Sequence, residues 1–198
     1  MTGVLPDSAI RAMIGDGRVS ADVDVVPGQV QPASLDLRLG TTAFRVRASF
    51  LAGRDRRVAD RLADFTMHKI DLTSGAVLEK DCVYVVPLLE HLALPTGVSG
   101  AASAKSSIGR LDLLTRIITD HGTEFDRVPD GYQGPLYAEI CPQSFSVIAK
   151  TGQMLTQIIF REGHTAIDDA ALRALHAKTP IVSGEAAISG GLGFSVDL

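Results

Sequence analysis

Several features that would assign this chain to a broad class are absent. It has only two cysteines, Cys82 and Cys141, each inside an apolar run, so a disulfide framework is excluded. They read as buried thiols of a cytoplasmic protein. No apolar run approaches the ~18 residues that a membrane span needs, and the first seven residues lack a basic region or long apolar core, so no signal peptide is expected. Positive charge is not in excess either. Lys and Arg number 19 against 23 Asp and Glu, a net charge of −4, which argues against a nucleic-acid-binding surface. Low-complexity segments and tandem repeats are also missing. What remains is a chain of 198 residues, 45% hydrophobic and 21% charged, able to bury a substantial core.

The texture of that chain is mostly β. Pro6-Asp7-Ser8 can start a helix, with Ile10, Met13 and Ile14 on one face and Gly15 and Gly17 to end it. Short strand-like runs broken by Gly and Pro follow: Val23–Val26, Ser34–Leu39, Ala43–Ala48, Lys69–Leu72, Val77–Leu78, Cys82–Pro87, His91–Leu94 and Val98–Ala104. Leu113–Thr119, Leu136–Cys141, Phe145–Ala149, Met154–Phe160 and Leu192–Leu198 continue the series. So many short strands predict an all-β barrel or sandwich. Two further helices are expected, an insertion over Arg54–Phe65 and a C-terminal one over Asp168–Ala177.

Two stretches carry chemistry. Lys105-Ser106-Ser107-Ile108-Gly109-Arg110 sets an ammonium, two hydroxyls and a guanidinium in one turn-length segment, a donor set suited to phosphate oxygens. The competing reading is a polar turn capping a short helical stretch. Leu136-Tyr137-Ala138-Glu139-Ile140 places one carboxylate in an apolar strand, where it must be paired, hydrogen-bonded or working as an acid/base group.

The order of motifs resembles that of deoxycytidine triphosphate deaminases. Gln31-Pro32-Ala33-Ser34-Leu35-Asp36-Leu37-Arg38-Leu39-Gly40 is similar to their first signature, and Lys105–Leu111 to their phosphate motif. Gly131-Tyr132-Gln133-Gly134 with the following strand resembles their aromatic turn, and Thr151–Phe160 their closing strand. The resemblance runs from about residue 4 to residue 161, in order. It implies a distorted, dUTPase-like β-barrel over residues 1–165, a fold shared with trimeric deoxyuridine triphosphatases. It also implies hydrolytic deamination of dCTP to dUTP and ammonia. Cytosine deamination needs a water made nucleophilic at C4 and a proton for the leaving amine. The chain has no H-x-E and no C-x-x-C, and its five histidines are scattered, which argues against a zinc route.

On that resemblance Glu139 is the general base and proton shuttle. Ser106 lies near the reacting base or its water, and Arg110 stands close to the carboxylate and holds water. Lys105 and Ser107 bind phosphates. Asp36 reaches the sugar-phosphate end or orients the motif segments, Gln157 holds backbone or phosphate, and Tyr132 closes a tight turn. Magnesium (Mg2+) accompanies the triphosphate, and the site forms between subunits of a homotrimer. The chain also departs from the family pattern. Pro129 stands where the family has a sugar-contacting Asp, leaving Asp130, Asp126 or Asp120 as replacements, and loop 119–130 is longer. After Phe160 the usual closing segment has no counterpart. Instead, residues 166–198 read as a helix followed by an echo of the first signature: Gly193-Phe194-Ser195-Val196-Asp197-Leu198 answers Pro32-Ala33-Ser34-Leu35-Asp36-Leu37. Chance similarity and the opening strand of a second repeat both account for it. Two other functions stay open, a dUTP pyrophosphatase or bifunctional enzyme on the same fold and a non-catalytic nucleotide-binding barrel.

Overall fold

The computed structural model describes residues 3–163 and 166–195. The first stretch contains β1 (Gly3–Val4), α1 (Asp7–Gly15), β2 (Val19–Ala21), β3 (Leu35–Arg38), β4 (Thr42–Val46), α2 (Val58–Phe65), β5 (Thr66–Asp71) and β6 (Ala76–Leu78). It continues with β7 (Val83–Ala93), β8 (Val98–Ala104), α3 (Ser106–Gly109), β9 (Leu113–Thr119), β10 (Arg127–Val128), β11 (Gln133–Pro142), β12 (Val147–Ala149) and β13 (Met154–Glu162). The chain forms two compact units, divided after Gly163.

The first unit is an all-β distorted barrel. One antiparallel sheet runs β1-β13-β8-β10, with β3 also on β13, and a second runs β5-β4-β7-β11-β9, with β2 on β7. A small β12-β6 ribbon completes it. Period-two alternation sends Leu35 and Leu37 of β3, Ile117 of β9, Leu136, Ala138 and Ile140 of β11, and Ile158 and Phe160 of β13 into one core. Each large apolar side chain among them, fully removed from water, contributes about 1.5–3 kcal/mol. Helix α1 adds Ile10 and Met13 to this core, as its spacing predicts.

The six-stranded sheet is buried on its other face as well. Val85, Ile118 and Tyr137 point away from the main core and form a second cluster with Val46, Phe50, Val58 and Leu62. Helix α2 and the segment before it cover that face. Their hold includes Val58 N–H donating to the buried Asp120 carboxylate at 2.8 Å. The inserted helix is thus part of the packing.

Several sequence expectations shift. Val23–Val26 is not a strand; the carbonyls of Val23 and Asp24 instead accept from the Arg38 guanidinium at 2.6 and 2.9 Å. The two runs expected at Cys82–Pro87 and His91–Leu94 are one strand, β7. Pro87 is tolerated at the end of a bulge in β7 itself, where Leu88, Leu89 and Glu90 stand against Leu136 alone between the His91–Pro135 and Pro87–Tyr137 pairs, and its carbonyl accepts from Gly40 N–H at 2.9 Å. That close approach explains Gly40: a Cβ there would lie 2.5 Å from Pro87 O. Residues Ser106–Gly109 add a one-turn helix to the three expected. Cys82 and Cys141 are free and only partly buried.

In the second unit α4 (Asp169–Lys178) is capped by Asp168, whose carboxylate accepts from Ala171 N–H at 2.7 Å. The remainder is held by turn-type bonds, such as Gly190 N–H to the Asp169 carboxylate at 2.9 Å. Leu192 makes an isolated bridge with Ile188, and Gly193–Ser195 is not a strand. The last three residues of the expected strand and of the echo lie outside the described residues.

Candidate active site

The cationic stretch sits where β8 gives way to α3. Lys105 N–H donates to Leu155 O on β13 at 2.9 Å, and Ile108 packs against the main core. With Ile108 turned inward, its polar neighbours Lys105, Ser106, Ser107 and Arg110 line an open hollow of about 390 Å³. Gln31, Ser34, Asp36 and Gln157 form its other wall. Register explains the gathering: Gln157 of β13 lies opposite Asp36 of β3 on one side and Ser103 of β8 on the other.

Asp36 is 2% exposed and takes an ion pair from the Lys105 ammonium through Oδ2. Its Oδ1 is buried without a hydrogen-bond partner among the described residues. The backbone of Asp36 is fixed from behind. Its N–H donates to Gln29 O at 2.9 Å, and its carbonyl accepts from Gln29 Nε2 at 2.9 Å. Gln29 in turn donates to Glu90 Oε1 at 2.8 Å. Glu90, fully buried, also takes Arg38 Nε and Arg38 N, each at 2.7 Å. Both Glu90 oxygens and all three guanidinium nitrogens of Arg38 are hydrogen-bonded, the condition under which a buried ion pair is tolerated. The hollow itself offers two cations, hydroxyls and two amides against one carboxylate, a net positive surface suited to a polyanion.

Glu139 lies elsewhere. It sits on β11 between Val85 of β7 and Arg116 of β9, on the face of the six-stranded sheet that points away from the main core. It is 2% exposed. Its Oε1 accepts from Arg116 Nε at 3.2 Å and Nη2 at 2.5 Å. Its Oε2 is buried with no partner among the described residues. The Arg116 guanidinium rests 3.7 Å from the Phe125 ring centroid and also donates to Ser49 Oγ at 3.3 Å.

A family model described as the 2'-deoxycytidine 5'-triphosphate deaminase N-terminal domain matches residues 1–164. The chain belongs to the dCTP deaminase family. A solved structure of 2'-deoxycytidine 5'-triphosphate deaminase from Agrobacterium tumefaciens is 50% identical and superposes with a TM-score of 0.84. That match covers 90% of this chain and 54% of the other, so this chain spans about half its length. A dCTP deaminase of Halorubrum lacusprofundi is 26% identical over 162 residues, covering 80% of this chain and 77% of the relative. A Corynebacterium kroppenstedtii protein named "dCTP deaminase, dUMP-forming" is 33% identical over 164 residues, 76% of this chain and 79% of the relative.

Within this dCTP deaminase-family chain, six of the expected site residues share one hollow: Asp36, Lys105, Ser106, Ser107, Arg110 and Gln157. The expectation that Arg110 stands beside Glu139 does not hold within a single chain. Arg110 Nε donates to Ser106 O at 3.3 Å, and the arginine paired with Glu139 is Arg116. Glu139 sits on β11, whereas Arg110 caps the C-terminus of α3 and faces the hollow. Asp130 is also outside the hollow: both its carboxylate oxygens accept from Gly97 N–H, at 3.0 and 2.9 Å, tying the turn to the β7–β8 connection. Asp120 is committed to Val58, whereas Asp126 accepts from Ile117 N–H at 2.8 Å. Burial raises the Asp126 carboxyl above its ordinary value. Tyr132 closes its turn, its hydroxyl donating to Pro135 O at 2.6 Å and accepting from Asp120 N–H at 3.1 Å. Among the described residues no three His, Cys, Asp or Glu side chains gather around one point.

Sequence reasoning missed Arg116 and the Glu90–Arg38–Gln29 network. Arg116 is the one charge inside the run Leu113–Thr119, as Glu139 is inside Leu136–Cys141. Two neighbouring strands with a lone opposite charge each are a cross-strand ion-pair signal.

Proposed function

We propose that this chain supplies both halves of a dCTP deaminase site, converting dCTP and water to dUTP and ammonia without zinc. The observation that carries the reading is Glu139: a nearly fully buried carboxylate with Oε1 held by a guanidinium and Oε2 without a partner among the described residues. An oxygen so placed can accept a hydrogen from water. Glu139 would take the proton as the water oxygen bonds to C4 of the cytosine. It would then return that proton to the exocyclic amine as the C4–N4 bond breaks and ammonia leaves.

The triphosphate belongs in the hollow of Lys105, Ser106, Ser107 and Arg110, with Asp36 and Gln157 on the opposite wall. Entry of phosphate oxygens releases Lys105 from its pair with Asp36. Magnesium fits as a companion of the phosphates, because one carboxylate among cations and hydroxyls is no cage for it. When bound, the ion neutralises phosphate charge. Since Glu139 and the hollow lie on different sheets of one chain, the complete site places Glu139 of one copy against Ser106 and Arg110 of another, in a homotrimer or a pseudo-trimer of repeats. The half-length match to the Agrobacterium structure supports reading this chain as a first repeat, with residues 166–198 leading into a second. The thiols fit a cytoplasmic setting.

Ammonia and pyrophosphate release from dCTP with magnesium, by the parent protein and its Glu139→Gln variant, tests the proposal. Ammonia from the parent and none from the variant supports it. Binding of dCTP with no ammonia would make this a nucleotide-binding barrel. The dUMP-forming name of the Corynebacterium relative favours one second reading: pyrophosphate released along with ammonia would make the enzyme bifunctional.

A further inference from the structure

We infer that Arg116 is the positioning residue of Glu139, and that the Phe125 ring and Ser49 hold Arg116 in the orientation that leaves one carboxylate oxygen free for water. This rests on the deaminase reading and adds to it a residue that touches neither nucleotide nor water. A guanidinium facing a carboxylate ordinarily spans both oxygens in a parallel fork. Here Nε and Nη2 both converge on Oε1, at 3.2 and 2.5 Å, and Oε2 is buried without a partner among the described residues.

Three separate segments enforce that offset. The β9–β11 register sets Arg116 directly opposite Glu139. Phe125, from the loop after β9, lies 3.7 Å from the guanidinium carbon and so fixes the plane of the fork. Ser49, beyond β4, accepts from Nη2 at 3.3 Å and draws that end of the fork toward itself. Phe125 is half-buried and packs on the second apolar cluster, so its own position is anchored. The long loop 120–126 therefore has a use: it carries the ring on which the guanidinium rests. A surface ion pair would lack these restraints and contribute little. This one joins a buried carboxylate to a guanidinium held from three sides.

The alternative is an ion pair that only closes the second cluster. Steady-state ammonia release from dCTP separates the two when read with thermal unfolding for the parent, Arg116→Gln, Arg116→Lys and Phe125→Leu. Positioning predicts that Arg116→Gln lowers kcat by about 10²-fold with KM within about threefold, the scale of a misplaced reacting group. Arg116→Lys keeps the charge but not the fork and recovers part of that loss. Phe125→Leu, which retains the apolar packing, costs about tenfold in kcat, the scale of a desolvated cation–π contact. Unchanged kcat in Arg116→Gln and Phe125→Leu, with an active parent, overturns the inference and leaves the deaminase reading standing. A parent that binds dCTP and releases no ammonia overturns both. If Arg116→Gln does not fold, Phe125→Leu decides alone.

Discussion

Replacing Glu90 by Leu tests whether the first signature is held in place by the buried network behind it. Glu90 has no exposed surface and receives three hydrogen bonds, from Arg38 Nε, Arg38 N and Gln29 Nε2. A leucine side chain would fill similar space but leave the Arg38 charge and two further donors without that acceptor. Breaking one partner of a buried pair costs about 3–5 kcal/mol. The Nη atoms of Arg38 keep their bonds to Val23 O and Asp24 O, so the lower half of that range is expected. For a unit of this size each kcal/mol is worth about 2–4 °C, giving a fall in Tm of about 6–16 °C. Urea unfolding followed by far-UV circular dichroism supplies the free energy. The double variant Arg38→Met/Glu90→Leu removes both charges and should recover most of the loss, since an apolar pair of like volume is often neutral. Gln29 also bonds both backbone groups of Asp36, so KM for dCTP should rise in the single variant. A Glu90→Leu loss under about 1 kcal/mol, or no recovery in the double variant, would refute the reasoning.

Other outcomes follow from single contacts. Gly40→Ala places a Cβ 2.5 Å from the Pro87 carbonyl oxygen and should destabilise by about 1–3 kcal/mol, read by the same urea titration. Lys105→Gln, which keeps a donor but removes the charge, should raise KM for the triphosphate at least tenfold with a smaller change in kcat, by steady-state ammonia assay. Asp126 has its folded pKa raised above the ordinary 3.8 by burial, so its neutral form favours folding. That contribution is full below the ordinary value and is lost as pH rises through the raised one. Asp126→Asn keeps an acceptor for Ile117 N–H. It should match or exceed the parent in stability at neutral pH and lose that advantage below the ordinary carboxyl value. A parent more stable than the variant at neutral pH would contradict it.

Whatever is encoded in neighbouring residues was legible from the sequence. The apolar runs Val98–Ala104 and Leu113–Thr119 marked β8 and β9 to the residue, and the α1 face showed in Ile10 and Met13, because both patterns are local. The grouping of the cationic and hydroxyl side chains at 105–110 was legible for the same reason: one turn holds them all. The tertiary structure decided the rest. Pro87 looked like the end of a run because the continuation of β7 past it shows only in its register with β11, where a bulge of Leu88, Leu89 and Glu90 is set against Leu136. The hollow's opposite wall, Asp36 and Gln157, comes from β3 and β13, which are brought to β8 only through sheet register. The partner of Glu139 is Arg116 and not Arg110, because cross-strand register places Arg116 opposite it while α3 carries Arg110 away to the hollow. Buried charge shows the limit most plainly. Nothing local pairs Arg38 with Glu90, 52 residues apart, and only closure of the barrel removes both from water and makes each the other's necessary partner.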